Sequence, residues 1–308
     1  LSRTPGGVPE AVADELALRF RMMFRELEEV ATMVSAEELG AIEDLIARRL
    51  YPWVAASGVG ERALHKPAGY AGDFQTIRMV YADQPLGSCW AGRFIDARIL
   101  ESPAAWAVKN RRALLVAEIE QTRVQARAEG RRARVATLGA GPAEELFDVH
   151  AGVGSVADMP LCTLVDMDLD ALGHVADRAA AEGCAEALQP LATNIARAAL
   201  GRSEARLVEQ DLIYSAGLID YFKDNLLVRL LDWIHAGLRP GGRTLLGNFH
   251  RENPTRRMME TVLEWELIHR DEDDMRRIFA KSKFGADNLR FCFDPSGVNL
   301  FVEATRID

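Results

Sequence analysis

Gly139-Ala140-Gly141 follows the short apolar run Val135-Ala136-Thr137-Leu138 and precedes a helical pattern. In that setting glycines let a backbone approach a nucleotide-bearing ligand closely. A dinucleotide fingerprint needs a small residue three positions beyond the second glycine. That position holds Glu144, followed by Glu145, and Pro142 lacks an N–H donor. Two carboxylates in a first helical turn suit the helix dipole but would repel a diphosphate. A nucleoside whose tail is a sulfonium and an amino acid brings no phosphate, so the expected cofactor is S-adenosylmethionine. Gly139, Ala140 and Gly141 would border its methionyl part. Asp166, 25 residues after Gly141, ends a second apolar run and would take the ribose hydroxyls, with Met167 beside it. Asn194, closing a third strand, would read the adenine edge. The bland alternatives are an ordinary strand-to-helix turn, a solvated turn at Asp166 to Asp168, and a turn asparagine at Asn194.

The elements that must position these residues change character along the chain. The first 130 residues read as helices. Between Pro9 and Thr32, the residues Leu16, Phe20, Met23, Phe24, Leu27, Val30 and Ala31 recur at steps of three and four. Ser35 with Glu38 forms a capping box opening a second helix, which Pro52 is expected to stop. Ser57-Gly58 and Gly60 mark a loop, and Ser102-Pro103 starts a helix running toward Gly130. From Arg134 onward, strand runs at 135–138, 162–165, 188–192, 212–214 and 243–246 alternate with helical stretches at 169–181 and 225–236. That alternation implies a parallel sheet with helices on both faces. Leu289 to Phe293, a turn at Asp294 to Gly297, and Val298 to Glu303 form a terminal hairpin.

Residues 134–308 resemble a class I S-adenosylmethionine-dependent methyltransferase. The matching segments are Leu138 to Gly141, Leu164 to Asp168, Asp211 to Tyr214 and Leu238 to Arg243. The acidic residue that often stands two positions before the glycine loop is Thr137 here. A narrower resemblance covers most of the chain. Lys66 to Phe74, Tyr214 to Phe222, Gly247 to Phe249 and Trp265 to Arg270 are similar to segments of bacterial proteins of 3-hydroxypalmitic acid methyl ester biosynthesis. The resemblance implies an α/β fold: a Rossmann-like class I methyltransferase sheet, mostly parallel with a C-terminal antiparallel hairpin, and an N-terminal helical lid domain. The expected division is 1–130 for the lid and substrate domain and 131–308 for the cofactor domain.

Methyl transfer is an in-line displacement from an activated donor, so alignment and water exclusion matter most. An alcohol or amine acceptor gains from a general base, whereas a carboxylate needs none. Tyr70 lies between Gly69 and Gly72 ahead of Asp73, which can cap the helix starting at Phe74. The functional reading carries Tyr70 over the cofactor, with Gly72 and Asp73 among the contacts. Tyr214 and Ser215 end the fourth strand, where class I enzymes place groups facing cofactor and substrate; core packing is the alternative. Tyr221 follows, and an aromatic face near a sulfonium gains cation–π attraction. His250, after the fifth strand, is the histidine best placed for proton transfer. Arg111-Arg112 and Arg131-Arg132 read as solvated helix-end charge.

Composition bounds the function. Thirty-seven Lys and Arg against forty-six Asp and Glu give −9, the wrong sign for a nucleic-acid backbone binder. No apolar run reaches the roughly 20 residues of a membrane span. The six histidines offer no metal-ligand spacing, and Cys89, Cys162, Cys184 and Cys292 stand apart, read as buried thiols. The expectation is a cytoplasmic enzyme of secondary metabolism, transferring methyl groups to a small molecule such as an acyl carboxylate, with a homodimer as its oligomeric option. Azetidine-2-carboxylate synthases, which resemble lidded methyltransferases and cyclise S-adenosylmethionine to leave methylthioadenosine, define one alternative. A non-catalytic cofactor-binding module is another.

Overall fold

The computed structural model describes residues 9–307 and divides into two compact units. One comprises the chain up to Val108 together with Asn253–Glu266; the other comprises Lys109–Glu252 and the chain from Leu267 onward. The boundary therefore falls inside a helix rather than near residue 130, where the element type changes.

In the helical unit, α1 (Glu10–Ala31) buries Phe20, Phe24 and Leu27 of the expected stripe together with Ala17, whereas Leu16, Met23, Val30 and Ala31 stay half-buried. In α2 (Ala36–Val54), Ser35 and Glu38 form the reciprocal capping box. Pro52 sits inside this helix instead of ending it. The missing donor costs one bond in the last turn, and Ala55 N–H still reaches Tyr51 O at 2.8 Å. The segment expected to be a loop forms α3 (Gly58–His65). Asp96 explains the difference. Its buried carboxylate accepts from Ser57 Oγ (2.5 Å), Val59 N (2.9 Å) and Leu86 N (2.8 Å), while Ser57 Oγ caps Gly60 N at 2.8 Å. Gly60 is needed for space, since a Cβ would stand 2.8 Å from Val54 Cγ1. Then come α4 (Phe74–Ala82), α5 (Trp90–Leu100) and α6 (Pro103–Ala128); Ser102 Oγ accepts from Ala105 N, as its N-cap position predicts.

The second unit alternates β1 (Arg134–Leu138), α7 (Glu144–Gly152), β2 (Leu161–Asp166), α8 (Leu169–Glu182), β3 (Leu188–Ala192), α9 (Ile195–Ala199), β4 (Gln210–Ser215), α10 (Asp224–Gly237) and β5 (Leu238–Phe249). After α11 (Arg256–Leu263), which packs with α1, α2 and α3 in the helical unit, follow α12 (Glu272–Phe279), β6 (Arg290–Phe293) and β7 (Asn299–Thr305). The strand order is β3-β2-β1-β4-β5-β7-β6. β1 to β5 run parallel, and β7 is antiparallel to both β5 and β6. The order reverses between β1 and β4, where an open α/β sheet leaves a crevice beyond the strand ends. β5 starts earlier than expected because Leu238 already pairs with Gln210, ahead of an irregularity after which Arg243 pairs with Leu212.

Alternation sorts the strand side chains into two cores. Val135, Leu164, Leu212, Tyr214 and Leu245 pack with α7 and α8, whereas Ala136, Leu138, Ile213 and Leu246 pack with α10 and α12. Cys162 and Cys184 are buried as expected, with the Cys162 thiol pushed up to about 12 by burial, but Cys89 and Cys292 are exposed. At the amino ends of the strands, Arg131 and Arg132 are anchors rather than solvated charge. Buried Asp211 accepts from Arg131 Nη1 (2.7 Å), Arg134 N (2.8 Å) and Arg239 Nε, and Arg132 donates to the carbonyls of Met159 and Val156. Asp211→Ala should lower the unfolding free energy by about 2 kcal/mol in urea titrations, because it removes the buried acceptor of Arg134 N and leaves Arg131 and Arg239 only their contacts with Glu129.

Candidate cofactor-binding site

The glycine loop crosses the carboxyl ends of β1 and β2 with three left-handed residues, Gly139 (φ +68°), Gly141 (φ +53°) and Ala143 (φ +49°). β2 dictates this path. Val165 O accepts from Gly139 N (2.9 Å) and Ala140 N (3.3 Å), and Asp166 Oδ2 accepts from Gly141 N at 3.0 Å. Asp166 Oδ1 accepts from Asp168 N at 3.0 Å. A carboxylate has about four acceptor positions, so these two bonds leave capacity for further donors. A Cβ on Gly141 would point into open space, whereas one on Gly139 would lie 3.5 Å from Leu218 Cβ.

The loop disfavours phosphate for a different reason from the one the sequence suggests. Glu144 is paired with Arg178 (2.8 Å) and Arg112 (3.7 Å), and Glu145 is turned into the core, so neither presents a free charge to the loop. Instead, the loop donors are already committed. Gly139, Ala140 and Gly141 donate to β2, Pro142 has no N–H, and Ala143 N donates to Ala140 O at 3.1 Å.

Met167 and Asn194 meet at the ends of β2 and β3. Met167 is 58% exposed, and Asn194 Nδ2 stands 3.7 Å from its sulfur while Asn194 Oδ1 caps α9 at Arg197 N. Asp168 caps α8 through Asp170 N and Ala171 N, the turn role weighed for it.

Three expected catalytic groups are bound up in the fold. Tyr214 points into the α7/α8 core, 1% exposed, and its hydroxyl donates to Glu145 Oε1 at 2.6 Å. Strand alternation with Leu212 puts it on that face, so it does not face a ligand. Burial raises both the Glu145 carboxyl and the Tyr214 phenol above their ordinary ranges. Ser215 is fully buried and donates to Leu138 O at 2.7 Å, tying β4 to β1. His250 has both ring nitrogens engaged, Nδ1 with Glu252 N and Nε2 with Glu272 Oε2, each at 3.3 Å. Accepting at Nδ1 places the proton on Nε2, so it is no free base. Tyr221 stays half-buried in a short turn, Ile219–Tyr221.

Sequence reading missed what holds that turn. Arg270, 2% exposed, donates to Ile219 O (3.1 Å), Phe222 O (2.5 Å), Asn248 Oδ1 (2.9 Å) and Asp224 Oδ1 (2.9 Å). Asp220 accepts from Phe249 N at 2.6 Å, and its carbonyl accepts from Ile268 N. Both residues lie in segments quoted above only as motif matches, and isolated buried polar residues leave no periodic signal.

In the helical unit, Lys66 (φ +46°) and Gly69 (φ +90°) make the turn before half-buried Tyr70, whereas Gly72 is not left-handed. Asp73 is fully buried and caps α4 at Thr76 N while pairing with Arg62 at 2.7 and 2.9 Å. Its carboxylate serves the turn, a correction to its place among the cofactor contacts.

The chain is similar throughout its length to the crystal structure of a possible exported protein from Bordetella parapertussis, at 16% identity and a TM-score of 0.62, covering 96% of this chain and 97% of that one. It is also similar to the apo S-adenosylmethionine-dependent methyltransferase SibL, at 16% identity and a TM-score of 0.53, covering 88% and 78%. These likenesses and the strand order define a class I methyltransferase fold with an N-terminal helical region. No family model and no curated protein matches the chain. Among the described residues no helix is long and apolar enough to cross a membrane.

Burial pushes the Asp220 carboxyl up to about 6, against 3.8 ordinarily, with the Phe249 N–H partly opposing the rise. The folded chain therefore binds more protons between those values, and stability present below pH 4 is lost as pH rises through about 6. Asp220→Asn should remove this dependence. Urea unfolding at pH 4.5 and 7.5 should show wild type losing about 2 kcal/mol relative to the variant.

Proposed function

We propose that this protein is an S-adenosylmethionine-dependent methyltransferase acting on a small molecule, with an acyl carboxylate as the acceptor class. The observation that carries the reading is the glycine loop itself: bound to Asp166, open above Gly141, and with the N–H groups of Gly139, Ala140, Gly141 and Ala143 all committed. Gly139 to Gly141 would border the methionyl part, Asp166 the ribose, and Met167 with Asn194 the adenine. The cofactor, when bound, supplies a methyl group already activated on a sulfonium. The chain's part is to hold the acceptor in line and keep water out. A carboxylate acceptor needs no proton removed, which agrees with His250 having both nitrogens engaged. Tyr221, beside the crevice-side loop after β4, is the aromatic candidate for the acceptor, and the helical unit is assigned the role of a lid carrying Tyr70.

Incubation with S-adenosylmethionine and a pool of hydroxy fatty acids, read by mass spectrometry, tests the reaction. Methyl esters with S-adenosylhomocysteine support it; methylthioadenosine formed without an acceptor points to cyclisation; binding without turnover points to a non-catalytic module. Asp166→Ala should weaken S-adenosylhomocysteine binding by roughly 1.5–3 kcal/mol by calorimetry. Tyr70→Ala should reduce turnover at least tenfold, about 1.4 kcal/mol of barrier, without moving the thermal midpoint. Wild-type turnover in that variant would return Tyr70 to a simple turn residue.

A further inference from the structure

Arg111 on α6 is not solvated helix-end charge: it is 8% exposed. Its guanidinium makes one hydrogen bond, Nη1 to Ala216 O at 2.8 Å. Nε is buried with no partner, and among the described residues no carboxylate forms an ion pair with it. Arg112 next door is satisfied, paired twice with Asp148. Two carboxyls feel the Arg111 charge, but both are otherwise engaged: Glu145 takes the Tyr214 hydroxyl and Asp220 takes Phe249 N–H. A guanidinium has five N–H donors in a planar fork, and burying one against a single neutral carbonyl is unfavourable unless an anion completes it.

Its position says which anion. Contacts along α6 move from Thr122, bonded to Arg243 on β5, to Asn110, bonded to Asp294 beyond β6. Arg111 thus sits at the carboxyl end of the sheet, immediately after the last residue of β4. Gly217 permits this, because a Cβ there would fall 2.8 Å from Nη1. The next residue, Leu218, packs against the first loop glycine, with its Cβ 3.5 Å from where a Gly139 Cβ would stand. Arg111 and Gly139 therefore flank the same three residues, Ala216 to Leu218. The N–H groups of Gly139, Ala140, Gly141 and Ala143 are committed, which disfavours a phosphate between the loop and Arg111, whereas a carboxylate is fully matched by one guanidinium edge.

We propose that Arg111 anchors the α-carboxylate of the cofactor's methionyl moiety, beside the Ala216–Leu218 turn. This rests on the reading of the site as one for S-adenosylmethionine. Calorimetry on the full chain tests it with three probes: S-adenosylhomocysteine, its decarboxylated analogue, and methylthioadenosine, which lacks the whole amino-acid end. Wild type should bind S-adenosylhomocysteine at least tenfold more tightly than either of the others. Arg111→Met should erase that preference while leaving methylthioadenosine affinity within twofold, and Arg111→Lys should restore part of it. Equal wild-type affinity for S-adenosylhomocysteine and its decarboxylated analogue overturns the proposal, whether or not the variants fold. So does a variant in which all three affinities fall together, the result expected if Arg111 only braces Ala216. Wild type binding none of the probes overturns the cofactor reading as well. Wild type binding all three, with Arg111→Met unchanged, overturns the anchor alone.

Discussion

The end of β2 governs the site. Val165 carbonyl and Asp166 carboxylate together take every N–H that the first three loop residues offer. Meeting those two acceptors forces Gly139 and Gly141 into left-handed backbone, and the loop then enters α7 through Ala143, a left-handed residue held there by burial of its methyl group. A loop whose donors face inward offers a ligand its open surface and its carbonyls, which suits a thioether chain and a ribose better than a diphosphate. The turn after β4 is fixed with similar economy, by Ser215 on Leu138 O at one end and by Arg270 on Ile219 and Phe222 carbonyls at the other. Both turns bordering the crevice are thereby held by bonds within their own unit.

What the sequence disclosed follows from how each feature is encoded. Strands and their order of alternation with helices are local patterns, and β3 occupies the residues its pattern marks. The glycine loop is legible because Pro142, Glu144 and Glu145 follow its glycines at positions where a dinucleotide loop would carry small residues and free N–H groups. Tyr214 was misjudged as a ligand contact although Leu212, two residues before it on the same strand, already implied a core-facing position. Other features were out of reach. Asp96 turns a glycine-rich stretch into α3 from more than thirty residues away, and nothing local announces it. Arg111 and Arg131 read as surface charge because arginine usually is, and Arg270 carries no local sign of burial at all. Only the fold shows that each is drawn inward by carbonyls or carboxylates distant in sequence.

The helical unit is not made from one stretch of chain. α11 arrives from beyond β5, buries Met258, Met259, Val262 and Leu263, and places Arg257 on Glu28 (3.1 Å) and Glu43 (2.8 Å). During synthesis this has a cost in time. α1 and α2 leave the ribosome early, yet the surface that α11 covers stays exposed until five strands of the sheet have followed. At roughly 5–20 residues per second that wait lasts many seconds, an interval in which an uncovered apolar face attracts chaperones or other chains. The two units therefore cannot mature one after the other. The first-made helices finish folding only after most of the later-made sheet has been synthesised, which makes the order of completion run against the direction of the chain.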